Sequence, residues 1–217
     1  GEQIATIVES LGLPNKIVAA VHVYPLFRDN FIKVKDFNNN TLKDISRFII
    51  GLQQLNQFSL PDNWQPGEAL AIQQSEALRK MLLAVVSDVR LVLVRIAEQL
   101  LRLREARPAP RPVQLALALE TREIYAPLAN RLGVWQLKWE LEDYAFRYSD
   151  PDTYRSIAKA LKEKRAEREQ FIERVQETLQ RELDAHSIDA EISGRPKHIY
   201  SIWRKMQHKG IGFSQVY

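Results

Sequence analysis

Three prolines fall within the six residues 107–112, directly after the longest amphipathic stretch of the chain, Ser75 to Arg104. A proline inside a helix removes a backbone hydrogen bond and clashes with the preceding turn. The stretch must therefore end there, as one helix or two with an apolar centre, and 107–112 is the clearest linker in the sequence. Upstream, Ile4, Ile7, Val8 and Leu11 recur at spacings of three and four and form one apolar stripe. Gly12 and Pro14 punctuate that helix, and Asn15 stands where the next should be capped. The second helix carries Ile17 to Val23 and is expected to stop near Tyr24-Pro25. Asp36 to Asn40 is polar and turn-rich, with Thr41 placed to cap a helix bearing Ile45, Phe48, Ile49 and Leu52. Ser59 to Gly67, with two prolines and a glycine, is expected to be a loop.

Beyond the linker, Val113 to Asn130 and Trp135 to Tyr148 read as two helices separated at Gly133. Pro151 suits the first turn of a further helix. That helix is expected to run on through Lys159 to Leu183, with opposite charges three and four residues apart. Near the end the period changes. Ile188, Ala190 and Ile192 alternate with polar residues over Ser187 to Ser193, the pattern of a short strand. Gly194-Arg195-Pro196 then turns the chain into a helix carrying Ile199, Ile202, Trp203 and Met206. A strand leading directly into a helix is how an α/β domain opens. The expected architecture is mainly α, in three parts: a helical domain at 1–112, a connecting helical bundle at 113–150, and the start of an α/β domain at 151–217.

Hydrophobic residues make up 45% and charged residues 27% of the chain, enough for a packed core. The longest apolar runs are short, such as Met81 to Val86, far below the roughly 20 residues of a membrane-spanning helix. The N-terminus lacks the order of a signal peptide. These features predict a soluble, cytoplasmic protein with no membrane partner. The absence of cysteine excludes disulfides and thiolate metal sites. A net charge of +4 favours anionic ligands such as nucleotides or RNA.

The most informative segment is Gly194 to Met206, GRPKHIYSIWRKM. Lys197, Ser201 and Lys205 stand at i, i+4 and i+8, on one face of the predicted helix. Two ammonium groups and a hydroxyl in a row suit a polyphosphate, with backbone N–H groups at the helix start assisting. Arg195, just before the helix, offers a planar guanidinium to a base or a phosphate. On spacing alone a solvated basic face is the favoured reading over nucleotide binding.

This segment closely resembles the ATP-site motif of RelA/SpoT (p)ppGpp synthetases. Two further stretches resemble the same family. Tyr125 to Gly133 followed by Leu137 to Asp143 looks like its central connecting helices, and Arg79 to Leu83 with Asp88-Val-Arg90 looks like the last part of its hydrolase domain. The resemblance runs from about Ile17 to Tyr217. It implies an N-terminal piece of a GTP pyrophosphokinase, which moves the β,γ-pyrophosphate of ATP onto the 3′-hydroxyl of GDP or GTP with Mg²⁺. By motif position, Arg195 would stack on adenine while Lys197, Ser201 and Lys205 hold the ATP phosphates. The family's Mg²⁺-binding aspartate and catalytic glutamate would follow Tyr217, so this stretch alone is expected not to make (p)ppGpp. Association with the ribosome and tRNA is implied through C-terminal domains.

The resemblance also implies a degenerate HD-type hydrolase domain. Active members bind Mn²⁺ through histidines and aspartates, including a His-Asp pair and a Glu-Asp pair. Aligned on Val18-Ala-Ala20, Tyr24-Pro25 stands in place of the first pair and Arg28-Asp29 in place of the second. Glu98 takes the place of a ligand aspartate and Arg102 that of a site asparagine. Tyrosine and proline offer nothing comparable to imidazole and carboxylate, and Arg28 adds positive charge. No Mn²⁺ is expected, Asp29 is read as solvated, and Glu98 as paired with an arginine. His22 would point elsewhere, two residues before the expected position. His186 and His208 read as surface residues, His198 as structural, Trp135 and Trp139 as helix packing, and Lys162 to Arg168 as a solvated face. Two other readings stay open: a regulatory, structural or nucleotide-binding module without catalysis, marked by an apolar or positively charged pocket near Tyr24 and Arg28 with no acidic cluster, and a residual metal-dependent phosphohydrolase.

Overall fold

The computed structural model describes residues 1–33, 43–56, 88–163, 165–194 and 197–216. The polar turn at 36–40, the Thr41 cap, the 59–67 loop, the Arg79 to Leu83 motif, Arg195 and Tyr217 lie outside these residues. The chain divides into two compact units, Gly1–Ser149 and Asp150–Tyr217.

The first unit is helical. It contains α1 (Glu2–Ser10), α2 (Asn15–Arg28), α3 (Lys43–Asn56), α4 (Val89–Glu105), α5 (Arg111–Glu120), a π-helical turn (Thr121–Tyr125), α6 (Ala126–Arg131) and α7 (Trp135–Ser149). Helix α4 is the hub, packing against α1, α3, α5 and α7. Its sequence explains this: Leu91, Val92, Val94, Ile96, Ala97, Leu100 and Leu103 are all buried, so apolar contact is made on more than one side. Each such leucine, isoleucine or valine stabilises the fold by about 1.5–3 kcal/mol through burial. Asp88 caps α4 by accepting from the Arg90 N–H at 3.0 Å. At the other end, the 107–112 stretch is a tight passage in which Gln114 Nε2 donates to the Ala106 carbonyl at 3.0 Å. The α4–α7 contact is cross-tied twice more. Tyr148 Oη donates to the Leu103 carbonyl at 2.8 Å, and Arg104 forks onto Glu140 with both bonds at 2.8 Å.

Helix α2 differs from expectation at both ends. Pro14 occupies the cap position with extended backbone, and its carbonyl accepts from the Ile17 and Val18 N–H groups, so Asn15 is already helical. The helix does not stop at Tyr24-Pro25 but runs through Pro25 to Arg28. Tyr24 and Phe27 are buried at 3% and 1% exposure, and seating both rings in the core outweighs the bond lost at proline. The 113–130 stretch is helical throughout but widens to a π turn at Thr121–Tyr125. Pro127 follows at once and has no N–H for the preceding turn, and the wider turn lets the chain pass it. Gly133, at φ +73°, reverses the chain between α6 and α7, as expected.

The second unit holds α8 (Pro151–Glu163), α9 (Arg165–Ala185) and α10 (Ile199–Lys209), with a 3₁₀ turn at Phe213–Gln215. Asp150 caps α8 by accepting from the Thr153 N–H at 3.2 Å. Ile157 and Leu161 of α8 and Ile202 of α10 are buried where those helices meet. The expected strand at 187–193 does not form: no ladder is present among the described residues, because no second strand lies alongside. Instead Gln176 Nε2 donates to the Ile192 carbonyl at 3.4 Å. A Cβ on Gly194 would sit 2.7 Å from Ile172 Cγ2, so only glycine lets the backbone lie this close to α9. The mainly helical class is as expected, and no helix among the described residues is long and apolar enough to cross a membrane.

Candidate functional site

Two places hold the residues singled out by sequence, one in each unit. In the second, α10 begins at Ile199 with His198 as its cap residue, so Lys197 precedes the helix instead of lying on it. Ser201 and Lys205 share one helical face, and Lys197 stands beside the helix start. The first intrahelical bond runs from the Ile202 N–H to the His198 carbonyl at 3.1 Å. The N–H groups of Ile199, Tyr200 and Ser201 therefore point out of the helix end beside Lys197. Lys197 is exposed, while Ser201 and Lys205 are half-buried. Lys205 Nζ donates to the Val216 carbonyl at 3.4 Å, which holds the ammonium group toward the turn after α10. The buried side of α10 is Ile202, with Ile199 and Met206 half-buried beside it. Tyr200 and Trp203 stack at 5.5 Å between ring centres. Lys197 precedes the first turn of α10 and Ser201 lies in it, so an ammonium, a hydroxyl and a helix N-terminus fall within five residues of one another.

The other place lies in the first unit, at a recess of about 250 Å³ lined by residues of α1, α2 and α4 and by Tyr125. Tyr24 points into the core, Pro25 is inside α2, and His22 is exposed on the other side of the same helix. Arg28 and Asp29 are bound to each other, Nε to Oδ1 at 2.9 Å and Nη2 to Oδ2 at 3.2 Å. That bond holds the Asp29 carboxyl below its ordinary range. Glu98 is nearly buried and takes a hydrogen bond from Arg95. Burial works against the Arg95 charge, yet Glu98 and Tyr125 together hold it on. Burial likewise pushes the Tyr125 phenol up, helped by the Glu120 charge.

A polar network adjoins the recess that residue spacing did not single out. Gln99, only 1% exposed, donates from Nε2 to Thr121 Oγ1 at 2.9 Å and to Glu120 Oε2 at 3.1 Å. It accepts from Arg102 Nη1 at 2.8 Å, and the same nitrogen reaches Glu120 at 3.3 Å. One signal was available: Gln99 lies between Ile96, Leu100 and Leu103 on the face that packs inward, where a polar side chain needs a partner. Its partners come from 21 and 22 residues away, and only the fold brings them near.

These contacts decide whether the recess suits a divalent metal. Of the residues aligned with metal ligands, Asp29 and Glu98 are carboxylates, and each is taken up by a guanidinium. Among the described residues no three histidine, aspartate or glutamate side chains converge. The donor set does not fit Mn²⁺, which wants several oxygen and imidazole ligands around one point.

The HD domain family model matches residues 1–135. A GTP pyrophosphokinase of Photobacterium angustum is 41% identical over all 217 residues. A GTP pyrophosphokinase of Escherichia coli is 39% identical over the same length. A Synechocystis protein named probable guanosine-3′,5′-bis(diphosphate) 3′-pyrophosphohydrolase is 33% identical over 215 residues, 99% of this chain. The chain spans 29% of the length of the first two relatives and 27% of the third. With an HD-domain match over more than half its length and relatives of this kind along all of it, the chain belongs to the RelA/SpoT family.

Proposed function

We propose that this chain is the pseudo-hydrolase and ATP-facing part of a GTP pyrophosphokinase that makes (p)ppGpp in the stringent response. The observation that carries the reading is the fate of the carboxylates at the HD position. Asp29 is bound by Arg28 and Glu98 by Arg95, so neither is available to a metal. Without a metal-activated water there is no nucleophile for phosphate-ester hydrolysis at this place. In the second unit Lys197, Ser201, Lys205 and the start of α10 bind ATP phosphates, and Arg195 stacks on the base. These groups position the polyphosphate and neutralise its charge, which is most of what phosphoryl transfer asks of a protein. Mg²⁺, when bound, would supply neutralisation of the polyphosphate charge. This group contains no carboxylate, so any carboxylate ligand of the ion would come from outside it. GDP or GTP is the acceptor, the site of action is cytoplasmic, and ribosome and tRNA contacts belong to other parts of a longer protein. The chain alone is inactive.

The test measures ATP-dependent (p)ppGpp synthesis and Mn²⁺-dependent (p)ppGpp hydrolysis in this chain and in a form extended through the whole transferase domain. Synthesis is expected only in the longer form, with a loss of at least tenfold on Lys197→Ala or Arg195→Ala, and hydrolysis in neither. Hydrolysis by the short chain would overturn the loss of the metal site.

A further inference from the structure

The recess between α2 and α4 has lost the features of a metal site, but its lining is not inert. Arg28, Arg95 and Arg102 line it, against Glu98 and Glu105. The signs are not distributed evenly between inside and outside. Glu98 is 13% exposed and Glu120, the partner of Arg102, 17% exposed, whereas the Arg28 and Arg102 side chains are 53% and 54% exposed. Glu98 and Glu120 are drawn inward and paired, whereas Arg102 and the Arg28–Asp29 pair, with Asp29 45% exposed, remain half open to solvent. Both guanidinium groups have donors to spare. Arg28 spends Nε and Nη2 on Asp29, and Arg102 spends only Nη1, on Gln99 and Glu120. Among the described residues, Arg28 Nη1 and Arg102 Nε and Nη2 have no acceptor. A planar guanidinium with an unused edge suits a phosphate oxygen pair.

We propose that this recess is a metal-free anion site that takes a phosphate or diphosphate group between Arg28 and Arg102. Its volume of about 250 Å³ is several times the roughly 30 Å³ share of one water but below the roughly 300 Å³ at which sites for whole drug-sized ligands begin. A diphosphate fits inside, and a nucleoside attached to it would project from the mouth. Glu105, exposed at the rim, is the one lining carboxylate not shown engaged by a guanidinium, and it sets a limit on affinity. The proposal rests on the reading that this unit no longer hydrolyses phosphate esters.

The test is titration calorimetry on the full 217-residue chain in EDTA, carrying Lys197→Gln and Lys205→Gln so that the cations near α10 do not contribute. Inorganic pyrophosphate, inorganic phosphate and GDP are the probes. One metal-independent site for pyrophosphate is expected, weakened about tenfold by Arg28→Gln and likewise by Arg102→Gln. Glu105→Gln should tighten it severalfold, a gain that a misfolded variant cannot give. Equal binding of pyrophosphate and GDP assigns recognition to the diphosphate alone, and tighter GDP adds a nucleoside contact; either supports the site. No binding in this background, or binding indifferent to all three recess substitutions, overturns the proposal and leaves the loss of hydrolysis standing. Binding absent in EDTA but present in a parallel titration with Mn²⁺ and no EDTA overturns both.

Discussion

Replacing Gln99 by glutamate exchanges one amide group for a carboxylate in a place only 1% exposed. The amide now donates to Glu120 at 3.1 Å and to Thr121 at 2.9 Å and accepts from Arg102 at 2.8 Å. Gln99→Leu, of similar size, removes all three bonds but strands little. Thr121 Oγ1 still donates to the Leu117 carbonyl at 2.7 Å, and Glu120 keeps Arg102. At about 1 kcal/mol net per bond, offset by about 1 kcal/mol of added apolar burial, the cost is about 2 kcal/mol. Gln99→Glu costs more. It keeps the Arg102 contact but loses both donors and sets a second carboxylate against Glu120, an imbalance of about 3–5 kcal/mol when both are ionised. The like charge and the burial raise the folded-state pKa of the new group above its unfolded value of about 4.3. The folded protein then holds the proton more tightly than the unfolded one, so stability is retained below about pH 4.3 and falls as pH rises through the raised folded value. Thermal melts followed by circular dichroism between pH 4 and 8 read this directly. A drop of about 6–20 °C is expected at pH 8, taking about 2–4 °C per kcal/mol, and little at pH 4 relative to the parent. Adding Glu120→Gln should restore most of the loss. A Gln99→Glu variant that melts with the parent at pH 8 would refute the network.

Two further predictions concern the helices that frame the recess. Pro25→Ala gives α2 the missing N–H for the Val21 carbonyl and relieves Tyr24, a helical residue placed before proline. After the lost rigidity of the unfolded chain is counted, stability should rise by about 1 kcal/mol or more; a lower melting temperature would contradict this. Asp88→Ala removes the cap of α4 and should cost about 1 kcal/mol at neutral pH. The Arg90 guanidinium holds the Asp88 carboxyl below its ordinary range. The contribution is therefore complete above about pH 3.9 and is lost as pH falls through the depressed folded value. Parent and variant should converge in acid, and divergence there would refute the assignment.

The helices were legible where the apolar period is regular and punctuated, as at Gly12, Gly133 and the prolines of 107–112. They were misread where packing overrides local chemistry. Tyr24-Pro25 carries a local stop signal, and nothing local reports that Tyr24 and Phe27 are both wanted by the core. The π turn at Thr121–Tyr125 was not legible, because buried Leu117, Ile124 and Leu128 stand seven and four residues apart, spacings that an unbroken α-helix also shows. The alternation at 187–193 is a true strand pattern, but a strand is a relation between two segments, and none of the described residues supplies the second. At α10 the helix itself was legible and its start was not, because Lys197 falls just outside the helix whose face it was counted on.

The recess shows how far substitution can carry a site without emptying it. A divalent metal concentrates positive charge at one point, and the carboxylates around it exist to meet that charge. Where the acidic position is instead Arg28, the hydrogen-bonded Asp29 above all, and the Glu98 charge to a lesser degree, hold its guanidinium protonated. Arg95 donates to Glu98 in a part-buried hydrogen bond. An unpaired carboxylate at 13% exposure would be costly, and removing a metal with no other change would leave one. The arginines supply the compensation from inside the chain. A guanidinium differs from a metal ion in one respect that matters here: it cannot activate water but can fork onto phosphate. On the proposed reading, the exchange that removes hydrolysis leaves guanidinium edges at the opening, and chemistry gives way to binding.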